Sequence, residues 1–136
     1  MTPPTRIDHL GIAVHSIDEA SRFYRDALGL ECGGTEVVAG QKVRVAFFPI
    51  GDTRIELVEP TDDDSPIAKF LAKKGPGLHH IAYRVADLSA TLAALKAAGV
   101  RLIHETPQDG GHSMKIAFAH PSSTGGVLTE FCQQVR

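Results

Sequence analysis

The chain has 136 residues, a length that suits one domain. Its formal net charge is −2, so it lacks the excess of positive charge that binding to nucleic acid needs. Hydrophobic residues make up 43% of the chain, as in ordinary folded proteins, yet no apolar run approaches the roughly 18 residues that cross a membrane. Cys32 and Cys132 give no disulfide framework, so we expect a cytoplasmic protein with reduced thiols and with neither nucleic-acid nor membrane partners.

The first half of the sequence predicts one strand, one helix and three further strands. Residues 7–14 are rich in aliphatic and small side chains, which is typical of a buried strand. Asp18 can cap a helix that Gly29 ends. Three β-favouring stretches follow, at residues 31–38, 43–50 and 53–60. Gly51 and Asp52 predict a tight turn between the last two strands, so the order is βαβββ.

The second half predicts the same order after a linker. Acidic residues and Ser65-Pro66 start a short helix at residues 67–74, which glycines end. Residues 78–85 then predict a strand and residues 89–98 a helix. Three more strands are predicted at residues 100–103, 114–120 and 127–133. The βαβββ order is therefore repeated.

Comparison of the chain with itself supports a duplication. Matching stretches occur in the same order in both halves: His9-Leu10-Gly11 with His80-Ile81-Ala82, Ala27-Leu28-Gly29-Leu30 with Ala97-Ala98-Gly99-Val100, Ala46-Phe47 with Ala117-Phe118, and Ile55-Glu56-Leu57 with Thr129-Glu130-Phe131. We expect an α+β fold of two tandem modules whose curved sheets enclose a cleft. Module one would span residues 5–61, the linker helix 62–77 and module two 78–134.

The repeat relates two histidines and two glutamates that can carry chemistry. His9 corresponds to His80, and Glu56 corresponds to Glu130. Both glutamates lie among aliphatic residues, where an unpaired charge is costly, so each needs a partner. Imidazole and carboxylate together suit Co²⁺, Mn²⁺, Fe²⁺, Ni²⁺ or Zn²⁺, and four such ligands leave two octahedral positions for substrate or water. The other five histidines are expected to be structural or surface residues: His15, His79, His104, His112 and His120.

Five stretches of the chain carry a resemblance to a known family. They are Ile7-Asp8-His9-Leu10-Gly11-Ile12-Ala13-Val14, Arg54-Ile55-Glu56-Leu57-Val58-Glu59-Pro60, Asp64-Ser65-Pro66-Ile67-Ala68-Lys69-Phe70-Leu71, Gly77-Leu78-His79-His80-Ile81-Ala82, and His120-Pro121-Ser122-Ser123-Thr124-Gly125-Gly126-Val127-Leu128-Thr129-Glu130. Together these closely resemble methylmalonyl-CoA epimerases of the vicinal oxygen chelate superfamily, which also includes glyoxalase I and the extradiol dioxygenases.

The resemblance implies a metal-dependent epimerase. It makes His9, His80 and Glu130 metal ligands, with Glu56 in the fourth position, and Co²⁺ the expected ion ahead of Mn²⁺, Ni²⁺ or Zn²⁺. The substrate would be (R)- or (S)-methylmalonyl-CoA, whose C2 proton is removed through a metal-stabilised enolate. Glu56 and Glu130 are the natural pair of bases. The resemblance also implies a homodimer and a substrate-covering loop at residues 108–113, where a plain hairpin is the alternative.

The sequence departs from some family members at the second base. Those members carry Gln at position 56 and a separate Glu on the third strand, where this chain has Val45. Glu56 is therefore either the second base or a ligand only, in which case another group or a water transfers the proton. The alternative functions are a glyoxalase-type lyase, an extradiol dioxygenase, or a metal-free binding module.

Overall fold

The computed structural model describes residues 1–135, which divide into two compact units. One unit is His9–His79, and the other joins Met1–Asp8 to the residues from His80 onward. The division passes through two strands, β1 (Arg6–Ala13) and β5 (Gly77–Arg84).

The unit of residues 9–79 is a four-stranded sheet with a helix packed on each face. Its elements after β1 are α1 (Ile17–Ser21), β2 (Thr35–Val38), β3 (Val43–Ile50), β4 (Thr53–Pro60) and α2 (Pro66–Lys74). The strand order is β2-β3-β4-β1, in which β1 runs parallel to β4 and the other pairs are antiparallel. Ile17 of α1 packs against Phe48 and Leu57 on one face, whereas Ile67 and Leu71 of α2 join a cluster on the other.

The second unit repeats this arrangement. Its elements after β5 are α3 (Leu88–Ala97), β6 (Gln108–Asp109), β7 (Met114–Ala119) and β8 (Thr129–Gln134). The strand order is β5-β8-β7-β6, with β5 parallel to β8 and the remaining pairs antiparallel. Leu88 and Leu92 of α3 pack against Ala117, Ala119 and Phe131, so the helix covers one face of the sheet.

The strand registers confirm the duplicated βαβββ order and the α+β fold. Glu56 lies beside Gly11 on one side and Phe47 on the other. Glu130 in turn lies beside Ala82 and Phe118, the residues that the repeat predicts at those positions. In both units a glycine with a φ of +85° lies two residues after the helical stretch that follows the first strand: Gly29 in one and Gly99 in the other. This conformation favours a residue without a Cβ. The module boundaries at 5–61 and 78–134 remain predictions.

One strand prediction was wrong. Residues 100–103 do not form a strand, because Leu102 makes only an isolated bridge to Ala119. Val100 and Leu102 instead pack their side chains against the cluster beneath α3, which explains the apolar pattern without a strand ladder. The outer strand of this sheet is β6, which begins the segment predicted to be a loop.

The start of α1 also differs from prediction. Ser16 rather than Asp18 caps the helix, since its extended backbone lets its hydroxyl accept a hydrogen bond from the Glu19 amide at 3.2 Å. Asp18 lies in the first turn instead, and the helix continues as a π-helical segment, Arg22–Ala27. The next strand begins only at Thr35, four residues later than predicted.

Within residues 1–135, none of the helices has the length and apolar character needed to span a bilayer.

Candidate functional site

The first candidate pair, His9 and Glu56, is buried on one face of the β2-β3-β4-β1 sheet. His9 Nδ1 lies 3.2 Å from Glu56 Oε2, and the two residues are 5% and 7% exposed. Register places His9 beside Arg54 and Gly11 beside Glu56. Because residues two apart in a strand share a face, all of these positions lie on the same side of the sheet. The sequence prediction that each glutamate needs a partner holds here.

The second candidate pair, His80 and Glu130, is the repeat equivalent of the first. His80 Nε2 lies 3.0 Å from Glu130 Oε1, and both residues are buried. The Phe118 ring, which lies beside Glu130 in the sheet, packs edge-on against the His80 ring with a centroid distance of 5.5 Å. This packing fixes the imidazole plane against an apolar surface.

The donor chemistry of both pairs fits a divalent metal ion. Each pair offers an imidazole nitrogen and a carboxylate oxygen in a buried position, and these are ligands that borderline divalent ions prefer. The structure thus brings together His9 with Glu56 and His80 with Glu130, as the repeat predicts.

Arg54 is a site residue that the sequence prediction missed. Its Nη2 lies 2.8 Å and its Nε 3.2 Å from Glu56 Oε2, while the guanidinium lies over the Phe47 ring at 5.8 Å from the centroid. The sequence held the signal, since Arg54 and Glu56 are two residues apart in a predicted strand and must share a face. The carboxylate of Glu56 is therefore ion-paired within its own strand.

A buried ion pair close to His9 in the sequence was also missed. Asp8 is fully buried, and Arg84 donates to its Oδ1 from Nε at 2.9 Å and from Nη2 at 2.7 Å. The Thr5 amide donates to the Arg84 carbonyl at 2.8 Å in the same unit. These bonds hold the start of β1 to the end of β5.

Three of the remaining histidines have packing or backbone roles, as predicted. The His79 ring packs edge-on against Phe70. His120 Nδ1 accepts a hydrogen bond from the Ser122 amide at 3.0 Å. His104 Nδ1 accepts one from the Phe118 amide at 3.2 Å, and burial lowers the pKa of this imidazole below its ordinary value.

Cys132 is a buried, unreactive thiol. Its Sγ donates to the Tyr83 carbonyl at 3.5 Å, and the residue is fully buried. Burial, followed by the negative charges of Asp8 and Glu130, raises the pKa of the thiol far above its usual range. Cys132 is therefore a neutral core residue at physiological pH, not a nucleophile.

The position of the family's third-strand glutamate holds no titratable group. Val45 is 5% exposed and belongs to the cluster of buried residues that includes Val58 and Leu71. It shares its face of the sheet with Phe47 and Glu56. At this point of β3 the face is apolar, so position 45 offers no group that could accept a proton.

The segment predicted to cover the substrate consists of β6 and its tight connection to β7. His112 and Ser113 have φ values of +56° and +55°, which are uncommon for residues with a Cβ. A Cβ at Gly110 would lie 2.6 Å from Ile116 Cγ2, so the close approach requires glycine. The covering role of residues 108–113 remains a prediction.

Comparison with known proteins gives one consistent family. The model of the Glyoxalase/Bleomycin resistance protein/Dioxygenase superfamily matches residues 8–118. An ethylmalonyl-CoA/methylmalonyl-CoA epimerase of Cereibacter sphaeroides is 38% identical over 94% of this chain and 97% of its own length. A methylmalonyl-CoA epimerase variant of Streptomyces coelicolor, solved with 2-nitronate-propionyl-CoA, superposes with a TM-score of 0.95 at 42% identity, covering 98% of this chain and 96% of its own. A methylmalonyl-CoA epimerase solved with methylmalonyl-CoA and NH4⁺ gives a TM-score of 0.94 at 42% identity over the same shares. The chain therefore belongs to the glyoxalase, bleomycin resistance protein and dioxygenase superfamily and, within it, to the methylmalonyl-CoA epimerase family.

Proposed function

We propose that the protein is a metal-dependent epimerase that interconverts (R)- and (S)-methylmalonyl-CoA. The observation that carries this proposal is the pair of buried imidazole–carboxylate contacts, His9 with Glu56 and His80 with Glu130, at equivalent positions of a repeated sheet. Membership of the epimerase family supports the substrate class.

The two pairs together would hold one divalent ion. His9, His80 and Glu130 are the proposed ligands, with Glu56 as the fourth. Co²⁺ is the expected ion, and Mn²⁺, Ni²⁺ or Zn²⁺ would suit the same donors. When bound, the ion supplies Lewis-acid stabilisation of the negative charge that develops on the thioester oxygen of the substrate.

The two glutamates would move the proton. Epimerisation removes the C2 hydrogen from one face and returns a proton to the other, so it needs a proton-transferring group on each side. We assign these roles to Glu130 and Glu56, since the repeat relates them as equivalent residues of opposite modules. Glu56 as a ligand alone is the alternative.

The proposed partners are the substrate and a second copy of the chain. β2 is an outer strand of its sheet, and its Val37 is 59% exposed, a feature that favours edge pairing with another chain. We propose a homodimer in the cytoplasm, which sedimentation at micromolar concentration would show as a single species of twice the chain mass.

Direct conversion of one epimer tests the function. The two C2 epimers of methylmalonyl-CoA are diastereomers because coenzyme A is chiral, so liquid chromatography resolves them. We expect the metal-loaded protein to bring either pure epimer to the same near-equal mixture. A failure to convert either epimer, or turnover of a glutathione hemithioacetal or a catechol instead, contradicts the proposal.

A further inference from the structure

The two oxygens of the Glu56 carboxylate have different surroundings. Oε2 carries all of the polar contacts: Arg54 Nη2 at 2.8 Å, Arg54 Nε at 3.2 Å and His9 Nδ1 at 3.2 Å. Oε1 accepts no hydrogen bond from any group within residues 1–135. Among residues 1–135 no buried side-chain nitrogen or oxygen lacks a hydrogen-bond partner, so Oε1 retains some accessible surface although Glu56 as a whole is 7% exposed. One oxygen is held and the other is accessible.

Arg54 is well placed to hold this carboxylate in a fixed orientation. Its side chain is 14% exposed, and its guanidinium lies over the Phe47 ring. A planar guanidinium that both stacks on an aromatic ring and donates two hydrogen bonds to one oxygen has little rotational freedom. The orientation of Glu56 is thus set by its neighbour in β4.

The repeat does not supply a second guanidinium. The offset that relates Glu56 to Glu130 relates Arg54 to Leu128, a half-buried residue directly before β8. The two glutamates occupy equivalent positions in the fold. The residue two positions earlier is positively charged before Glu56 and apolar before Glu130. This asymmetry indicates that they have different tasks.

Resting on the proposed function, we propose that Arg54 is a positioning residue that makes Glu56 the second proton-transferring carboxylate and the weaker metal ligand of the two glutamates. In this step the C2–H bond breaks, the proton goes to Glu56 Oε1, and the electron pair moves into the thioester carbonyl. Reprotonation from the opposite face restores the neutral C2 centre. Glu56 contacts the substrate, whereas Arg54 acts only through Glu56. Because Arg54 binds Oε2, a metal ion has to compete with the guanidinium for this oxygen.

A double-mutant cycle tests the role of Arg54 in turnover. Arg54→Met keeps most of the aliphatic stem and removes the charge, and we expect kcat to fall by about 10- to 100-fold with little change in KM. Arg54→Lys should recover part of this loss because it restores a cation. In a Glu56→Gln background, Arg54→Met should lower the residual turnover by less than about twofold, since the group it positions is gone. Arg44→Met, at an exposed position of β3, is the matched control that removes one cation from the same unit.

Co²⁺ titration of the same variants gives a readout that does not require turnover. Glu130→Gln should weaken Co²⁺ binding at least about tenfold more than Glu56→Gln does in the parent protein. After Arg54→Met, Glu56 is free to ligate, so adding Glu56→Gln should then weaken Co²⁺ binding more than it does when Arg54 is present.

Two results would overturn the inference. One is an unchanged kcat in Arg54→Met; the other is an equal loss from Arg54→Met with and without Glu56, which would mean that Arg54 contacts the substrate directly. If the parent protein fails to epimerise, the proposed function fails, yet the Co²⁺ titrations still decide whether Arg54 controls Glu56 as a ligand.

Discussion

At the scale of single residues, two histidines and two glutamates hold the burial and the contacts expected of metal ligands. Replacing His80 or Glu130 by alanine should weaken Co²⁺ binding more than about 100-fold, because loss of a direct ligand exceeds the usual effect of its supporting neighbours. Metal content after dialysis, measured by atomic emission, reports this loss. His15→Ala, at an exposed histidine, is the control and should retain metal like the parent. Full metal content in both ligand variants would refute the site.

The free energy of unfolding should depend on pH partly through His104, whose side chain is partly buried. Burial lowers the pKa of this imidazole in the folded protein, so the folded chain stays neutral where the unfolded chain takes up a proton. Stability from this residue is therefore present above the ordinary histidine pKa of about 6.5 and lost as the pH falls below it. His104→Asn retains an acceptor for the Phe118 amide, and urea unfolding at pH 7 and 5.5 should show a smaller decline than in the parent. An identical decline in the two proteins would contradict this.

At the scale of elements, the linker helix α2 depends on one buried cap. Ser65 is fully buried and accepts a hydrogen bond from the Ile67 amide at 3.1 Å. Ser65→Ala should lower the free energy of unfolding by about 1 to 2 kcal/mol in urea denaturation, because the helix start then has an unsatisfied amide. Ser89→Ala, at an exposed position of α3, should change it by less than about 0.5 kcal/mol. Equal effects of the two substitutions would show that the cap contributes nothing.

Local patterns predicted most elements well and failed where long-range packing decides. The bounds of β3 and β4 agree with the sequence prediction because β-favouring residues and the tight turn at Gly51-Asp52 fix a hairpin locally. The prediction of a strand at residues 100–103 was wrong because apolar residues suit a segment packed beneath α3 as well as a paired strand. The short strand β6 has no local signal, since Gln108 and Asp109 pair with β7 only after the chain has turned.

The internal repeat predicted those residues of the candidate site that have an equivalent in the other half of the chain. Matching His9 with His80 and Glu56 with Glu130 is enough to identify, from the sequence alone, the four residues of the two buried pairs. The repeat could not indicate Arg54, because its equivalent in the second half is a leucine. The environment of the two glutamates differs through a residue that breaks the internal symmetry.

At the scale of the whole molecule, a buried ion pair ties the N-terminal segment to the second half of the chain. Asp8 and Arg84 lie in the same compact unit although 76 residues separate them. Arg84→Met should lower the free energy of unfolding by about 3 kcal/mol, because it leaves a buried carboxylate without its guanidinium. Adding Asp8→Asn should recover part of this loss, as calorimetry or urea denaturation would show. Additive losses from the two substitutions would contradict a coupled pair.

An epimerase of this kind removes and returns the C2 proton of methylmalonyl-CoA. The most direct measurement is deuterium incorporation at C2 in D₂O, followed by mass spectrometry of the intact thioester. With metal-loaded protein we predict a gain of one mass unit and appearance of the other epimer, and removal of the metal by a chelator should abolish both. In Glu130→Gln the other epimer should no longer appear, whereas Glu56 should still exchange the C2 proton of one epimer. Incorporation no faster than in a protein-free solution containing the same metal would contradict the account.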